Sequence, residues 1–221
     1  MKYAILFLLL IVIPCKSFAE GDFSFAKKQA EYIYSIRQTS FYCGCDYART
    51  MEGLEVNYAR CAYSPKSESS RSHKIEWDHV VPASRFGGNL QCWKEGGRKA
   101  CESDPKFKEM ESDLYNLVPS IGEINNAKSD KPMMEIEGNV KEYGGCDIEI
   151  NKEGVEPANN IKGDIARIYL YMQWRYDIGL SDQEKDMFIR WSFNDPVSKK
   201  EMDVANMIVL LQGNRNYMLT Q

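Results

Sequence analysis

Histidine is scarce in this chain of 221 residues: His73 and His79 are all there is. A metal cage built from several imidazoles is therefore excluded. Long apolar runs are missing beyond the first fourteen residues, so nothing after Pro14 is long enough to cross a bilayer. Positive charge is in deficit, with 28 Lys and Arg against 32 Asp and Glu, a formal net charge of −4. Attraction by overall charge cannot then recruit a polyanion. A nucleic-acid partner would need a local basic groove, because screening limits the reach of a charge to about 10 Å at ordinary salt. CxxC knuckles are absent, and Cys43-Gly44-Cys45 is too tight to be one. No internal repeat or linker divides the chain.

What is present begins with an export signal. Met1-Lys2-Tyr3 precedes an apolar run from Ala4 to Pro14, and Ser17-Phe18-Ala19 puts small residues at the −3 and −1 positions of a cleavage after Ala19. Residues 1–19 are read as a removed signal peptide and 20–221 as one domain, large enough for a full core. Cys15 lies within the signal, and Ile13-Pro14 before it do not suit a lipoprotein cleavage site. Loss of Lys2 and Lys16 leaves 26 basic against 32 acidic residues, a net charge of −6. Six cysteines remain: Cys43, Cys45, Cys61, Cys92, Cys101 and Cys146. In an exported chain an even count reads as three disulfides, with fifteen pairings open.

The periodicity predicts an α+β fold, mostly helical with short strands. Ser24 can cap a helix to about Arg37, with Phe25, Ala26, Ala30, Ile33 and Tyr34 on its apolar face. Leu54 to Tyr63 reads as a strand, and the serine-rich stretch Ser64 to Ser72 as an exposed loop ending near a surface His73. Ile75 to Val81 is a strand stopped by Pro82. Phe86-Gly87-Gly88 reads as a turn, and Gln91 to Cys101 as a basic loop. Asp104-Pro105 opens a helix to about Asp113, Tyr115 to Val118 is a short strand, and Ser120 with Glu123 suggests a capping box. Ile165, Ile168, Tyr169, Met172 and Tyr176 fit an amphipathic helix, and Ser181 with Glu184 caps the next. A last helix runs from about Ser198 to Leu211 and closes at Gly213.

Two segments carry chemistry. Ile75-Glu76-Trp77-Asp78-His79-Val80-Val81-Pro82-Ala83 sets a carboxylate beside an imidazole, and Gly122-Glu123-Ile124-Asn125 brings an amide. Phosphodiester hydrolysis needs an activated water, neutralisation of the phosphate and help for the leaving oxygen. A neutral imidazole suits the first task. Mg²⁺, which takes oxygen ligands and keeps several waters, suits the others. Asp78 and Asn125 offer oxygens, and Arg98 offers a planar charged fork for phosphate. Each residue alone is more often a solvated polar group; their joint occurrence in an exported, cysteine-stapled chain is what points to a site. Lys94, Lys99 and Lys128 are candidate groove cations by their nearness in sequence. Adjacent residues of a regular strand face opposite ways, so Asp78 and His79 would share a site only if the strand distorts; Glu76 is the reserve ligand.

Taken together, the chain resembles the bacterial endonuclease I family of periplasmic and secreted nucleases. The stretches that carry the resemblance are Phe41-Tyr42-Cys43-Gly44-Cys45, Glu76 to Ala83, Gly96-Gly97-Arg98-Lys99-Ala100-Cys101, Met110 to Leu117, Gly122 to Asn125, Ile165-Ala166-Arg167 and Gln212-Gly213-Asn214. The resemblance implies a ββα-metal (His-Me finger) core and Mg²⁺-dependent cleavage of DNA and RNA with little sequence preference and 5′-phosphate products. It places the general base at His79, the metal ligands at Asp78 and Asn125, and the phosphate holder at Arg98, with Glu111 and Asn116 in support. The expected enzyme is a monomer, periplasmic or secreted, without a membrane partner. An RNA-preferring nuclease, a secreted binding protein on a degenerate nuclease fold, and a disulfide-stabilised structural protein are the alternatives. Three departures stand out: Asp78 replaces the family's usual glutamate, Lys128 and Asp130 follow Asn125 where an arginine and an asparagine are usual, and two C-terminal cysteines are missing.

Overall fold

The computed structural model describes residues 22–138 and 141–219, so the expected signal peptide, residues 1–19, lies outside the described residues. Helix α1 (Phe23–Tyr34) starts one residue after Asp22, whose carboxylate accepts from Phe25 N at 3.0 Å. Asp22 is therefore the cap, not Ser24, and the helix ends before Arg37. Its buried face is Ala26, Ala30, Ile33 and Tyr34 as the spacing predicts, while Phe25 turns to solvent.

Strands β1 (Tyr47–Thr50) and β2 (Gly53–Val56) form a hairpin. The expected strand from Leu54 stops at Val56, because Asn57 accepts from Ala59 N and opens a 3-10 turn, Tyr58–Arg60. The serine-rich stretch is ordered rather than loose. Glu123 accepts from Lys66 N, Ser67 N, Ser67 Oγ and the Tyr63 hydroxyl, and a short helix α2 (Ser70–His73) follows. His73 is exposed, as expected.

Strand β3 (Ile75–His79) leads through helices α3 (Ala83–Gly87), α4 (Gln91–Ala100) and α5 (Pro105–Glu111) to its antiparallel partner β4 (Leu117–Ile121). Asp78 lies opposite Val118 and His79 opposite Leu117. Three expectations change here. Phe86 and Gly87 end α3 rather than forming a free turn. The basic stretch after Gln91 is helical, with a break at Gly96 and Gly97. Asp113 caps a 3-10 turn, Leu114–Asn116, which delays β4 by two residues and carries it through Pro119. That proline is tolerated because the sheet has only two strands and no neighbour asks for its missing N–H.

Helix α6 (Gly122–Lys128) starts directly where β4 ends, which leaves no room for a capping box. Ser120 is buried in the strand, with its hydroxyl on the Ile121 carbonyl. Gly122 permits the tight join: a Cβ there would lie 2.7 Å from Glu76 Oε1 and 2.8 Å from the Arg71 carbonyl. The β3–β4–α6 unit is thus a strand pair with a helix folded back on it.

A small pair, β5 (Ile148–Ile150) and β6 (Val155–Pro157), precedes helices α7 (Lys162–Tyr176), α8 (Asp182–Asn194) and α9 (Lys199–Gln212). The Ser181–Glu184 capping box is complete, and Gly213 closes α9 in the left-handed region. Tyr169 and Met172 are core, as their spacing predicts, and so are Phe188 and Trp191 of α8. The six cysteines pair as Cys43–Cys146, Cys45–Cys61 and Cys92–Cys101. Among the described residues no helix is long and apolar enough to cross a membrane.

Candidate active site

The end of β3 opens on a pocket bordered by Asp78, His79, Arg98 and Asn125, with Phe23 and Trp77 beside them. The four residues singled out from sequence therefore meet. Asp78 and His79 do leave the strand into different surroundings, but both border the pocket because the strand ends there.

His79 is buried, at 7% exposure. Its Nε2 lies 2.7 Å from the Glu111 carbonyl oxygen, so that nitrogen carries the proton and Nδ1 keeps the lone pair. Phe23 stacks on the ring at 4.9 Å, and Phe86 meets it edge-on. Burial holds the imidazole pKa down to about 4, and the nearby charges of Arg98 and Lys128 push the same way against the Glu111 carbonyl. The ring is accordingly neutral near pH 7 and able to accept a proton.

Glu111 holds a second group. Its carboxylate accepts from Arg98 Nε at 2.8 Å and pairs with Nη2 at 2.7 Å. It is buried in the end of α5 rather than solvated. Arg98 keeps 48% of its side chain exposed and lies 5.3 Å over the Phe23 ring. The break just before it uses Gly97 at φ +65°, a conformation other residues reach only at a cost. The Cys92–Cys101 disulfide brackets this segment. Asn116, fully buried, accepts from Val81 N at 2.7 Å and donates to Val81 O at 3.0 Å. Its side chain thus continues the strand pairing past His79 and pins the chain there.

The carboxylates sit on the other side. Asp78 accepts from the Tyr42 hydroxyl at 2.7 Å and pairs with Lys128 Nζ at 3.2 Å. Burial raises the Asp78 pKa, while Lys128 and Tyr42 lower it. Lys128 is 1% exposed, so it is no groove cation, in contrast to Lys94 and Lys99, which are exposed. Helix α6 aims it inward because its partner is the buried Asp78. Glu76 accepts from Arg71 through both oxygens, at 2.8 and 2.6 Å, and from Asn125 Nδ2 at 2.8 Å. That last bond uses the amide nitrogen and leaves the Asn125 carbonyl oxygen as the group available to the pocket.

Among the described residues no three His, Cys, Asp or Glu side chains cluster as a metal cage. Two hard oxygens at one pocket, a carboxylate from Asp78 and an amide from Asn125, fit a small divalent cation that retains most of its water. Each Asp78 oxygen has one partner and keeps a further lone pair. Phe23 and Tyr42 escaped sequence reasoning, and Lys128 reads from sequence as a groove cation rather than as the buried partner of Asp78. Only Tyr42 lay in a stretch already singled out, beside Cys43.

A neutral imidazole of fixed tautomer, a half-exposed guanidinium and hard oxygen donors, set where a strand pair turns into a helix, suit the hydrolysis of charged esters. The chain belongs to the endonuclease I family, whose model matches residues 23–221. It is 42% identical over 204 residues to Endonuclease-1 of Buchnera aphidicola subsp. Acyrthosiphon pisum (strain APS), covering 87% of this chain and 82% of that protein. A periplasmic deoxyribonuclease of Aeromonas hydrophila is 35% identical over 94% of this chain and 89% of its own length. An extracellular deoxyribonuclease of the same species is 36% identical, covering 88% of this chain and 87% of that protein. The protein is therefore a phosphodiester hydrolase.

Proposed function

We propose that the protein is an exported, metal-dependent endonuclease that cleaves DNA and RNA with little sequence preference, as one catalytic domain after removal of residues 1–19. Export is supported by the signal segment, by three disulfides, and by relatives named as periplasmic and extracellular enzymes. The observation that carries the mechanism is the 2.7 Å contact between His79 Nε2 and the Glu111 carbonyl.

With Nε2 committed, His79 Nδ1 takes a proton from the attacking water. Arg98 neutralises the phosphate from the mouth of the pocket, where Glu111 and Phe23 fix its plane. Asp78 and Asn125 would hold the cation, with Mg²⁺ the expected ion, and Glu76 keeps the amide of Asn125 turned oxygen-outward. When bound, the cation supplies charge stabilisation to the phosphate and the leaving oxygen. Attack in line breaks the P–O3′ bond, the 3′-oxygen leaves as a hydroxyl with a proton from water, and 5′-phosphate ends remain. The β3–β4–α6 unit then serves as a ββα-metal core. Contacts confined to phosphate carry no base information, which accounts for the absence of sequence preference. The protein acts as a monomer.

Digestion of plasmid DNA and of RNA, with Mg²⁺ and with EDTA, tests this reading. Cleavage of both is expected with Mg²⁺ and of neither with EDTA. Full activity of His79→Ala would overturn the assignment of the base.

A further inference from the structure

Lys128 is the most deeply buried cation of the site and has no part in the chemistry described so far. Its ammonium sits 3.2 Å from Asp78 Oδ1 and donates to the His79 main-chain carbonyl at 3.0 Å. Its side chain is 1% exposed and that of Asp78 is 5% exposed, so water screens this pair little. Glu76 is also paired, with Arg71, although that pair is partly open to water, at 43% and 30% side-chain exposure. Asp78 and Glu76 thus each face a cation of the protein, as Glu111 faces Arg98, and the negative charge that would draw a divalent ion is largely cancelled.

We infer that Lys128 is a positioning residue that sets the metal affinity of the site: its buried ammonium fixes Asp78 and the end of β3, and its charge keeps a divalent cation weakly held until a nucleic-acid phosphate adds its own negative charge. The inference rests on the proposed placing of the metal at Asp78 and Asn125. It has two consequences. The cation and the substrate bind with positive coupling, because each supplies charge that the other needs. Removing the Lys128 charge strengthens metal binding while it harms turnover, the opposite of what removal of a merely structural group would do.

The test is Mn²⁺ binding, read by electron paramagnetic resonance, in the His79→Ala background so that an added oligonucleotide survives. A titration of the oligonucleotide alone is subtracted. In that background the oligonucleotide should tighten Mn²⁺ binding about ten-fold or more. Adding Lys128→Met should tighten Mn²⁺ binding without oligonucleotide by about ten-fold, and shrink the further gain from the oligonucleotide. Lys128→Arg, which keeps the charge, should bind as the parent does. Unchanged or weaker Mn²⁺ binding by a folded Lys128→Met variant would overturn the inference. If that variant does not fold, the oligonucleotide arm on the parent decides, and no tightening there overturns it. Mn²⁺ that binds in no arm, with digestion indifferent to EDTA, would instead remove the metal reading itself.

Discussion

The carboxylates of the site and the reactive groups beside them are held in opposite ways. Asp78 and Glu76 are each fastened by a cation from the same chain, Lys128 and Arg71. His79 and Arg98 both hang from Glu111, one from its carbonyl and the other from its carboxylate, and both rest against Phe23. The first half is fixed by charge pairing of β3 with α6 and α2, deeply buried at Asp78 and partly exposed at Glu76. The second is fixed by one residue at a helix end, the rings of Phe23 and Phe86, and one disulfide. Removing a partner from the first half should therefore cost stability, whereas disturbing the second should cost rate.

The comparison breaks most clearly at His79. Loss of a general base typically costs about 10²–10⁴-fold in rate. His79→Ala should show that loss in kcat with circular dichroism unchanged and a nearly unchanged Mg²⁺ requirement. Asp78→Ala should behave differently, since it leaves Lys128 buried and unpaired. Breaking such a pair costs about 3–5 kcal/mol. A chemical denaturation curve should show it, and activity should need much more Mg²⁺, with part of the rate restored at high metal. Asn125→Ala should shift the Mg²⁺ requirement more mildly, at little cost in stability. Should Glu76→Ala move the requirement while Asp78→Ala does not, the carboxylate ligand is Glu76.

Two smaller effects sharpen the second half. Reduction should act mainly on the segment carrying Arg98, because Cys92–Cys101 closes it while Arg98 itself is half exposed. Loss of a disulfide typically costs about 2–4 kcal/mol. A Cys92→Ser/Cys101→Ser variant should stay folded, with reduced activity and a raised KM for DNA; wild-type kinetics would show that Glu111 alone holds Arg98. Neutralising the exposed Lys94 and Lys99 should raise KM modestly. It should also reduce the slope of log affinity against log salt by about 0.9 for each phosphate that is no longer neutralised. An unchanged slope would put the groove elsewhere.

Much of this was legible in sequence because it rests on local rules. Asp104 before a proline, the Ser181–Glu184 box and Gly213 each mark a helix end by what the nearest backbone groups need. Expectations failed where a distant partner took the side chain. Ser120 and Glu123 have the spacing of a capping box, yet β4 claims Ser120 and the serine-rich stretch claims Glu123. Gln91 to Cys101, with a cysteine near each end and a basic interior, reads as a loop, but Gln91–Ala100 is helical on both sides of a break at Gly96 and Gly97 and is clamped by Cys92–Cys101.

The sequence by itself determined the even set of cysteines, the helical and strand-bearing character of the chain, and the four residues that meet at the pocket. These follow from composition, from short-range periodicity and from motifs whose spacing survives folding. Only the tertiary structure decided the three disulfide pairs, the tautomer of His79, the turning of Lys128 inward and the approach of Phe23 to the imidazole. Each of those depends on which residues, from 9 to 103 positions apart in the chain, are brought within bonding or packing distance. A buried lysine and an exposed one look alike in sequence; what separates them here is Asp78, fifty residues upstream and 3.2 Å away.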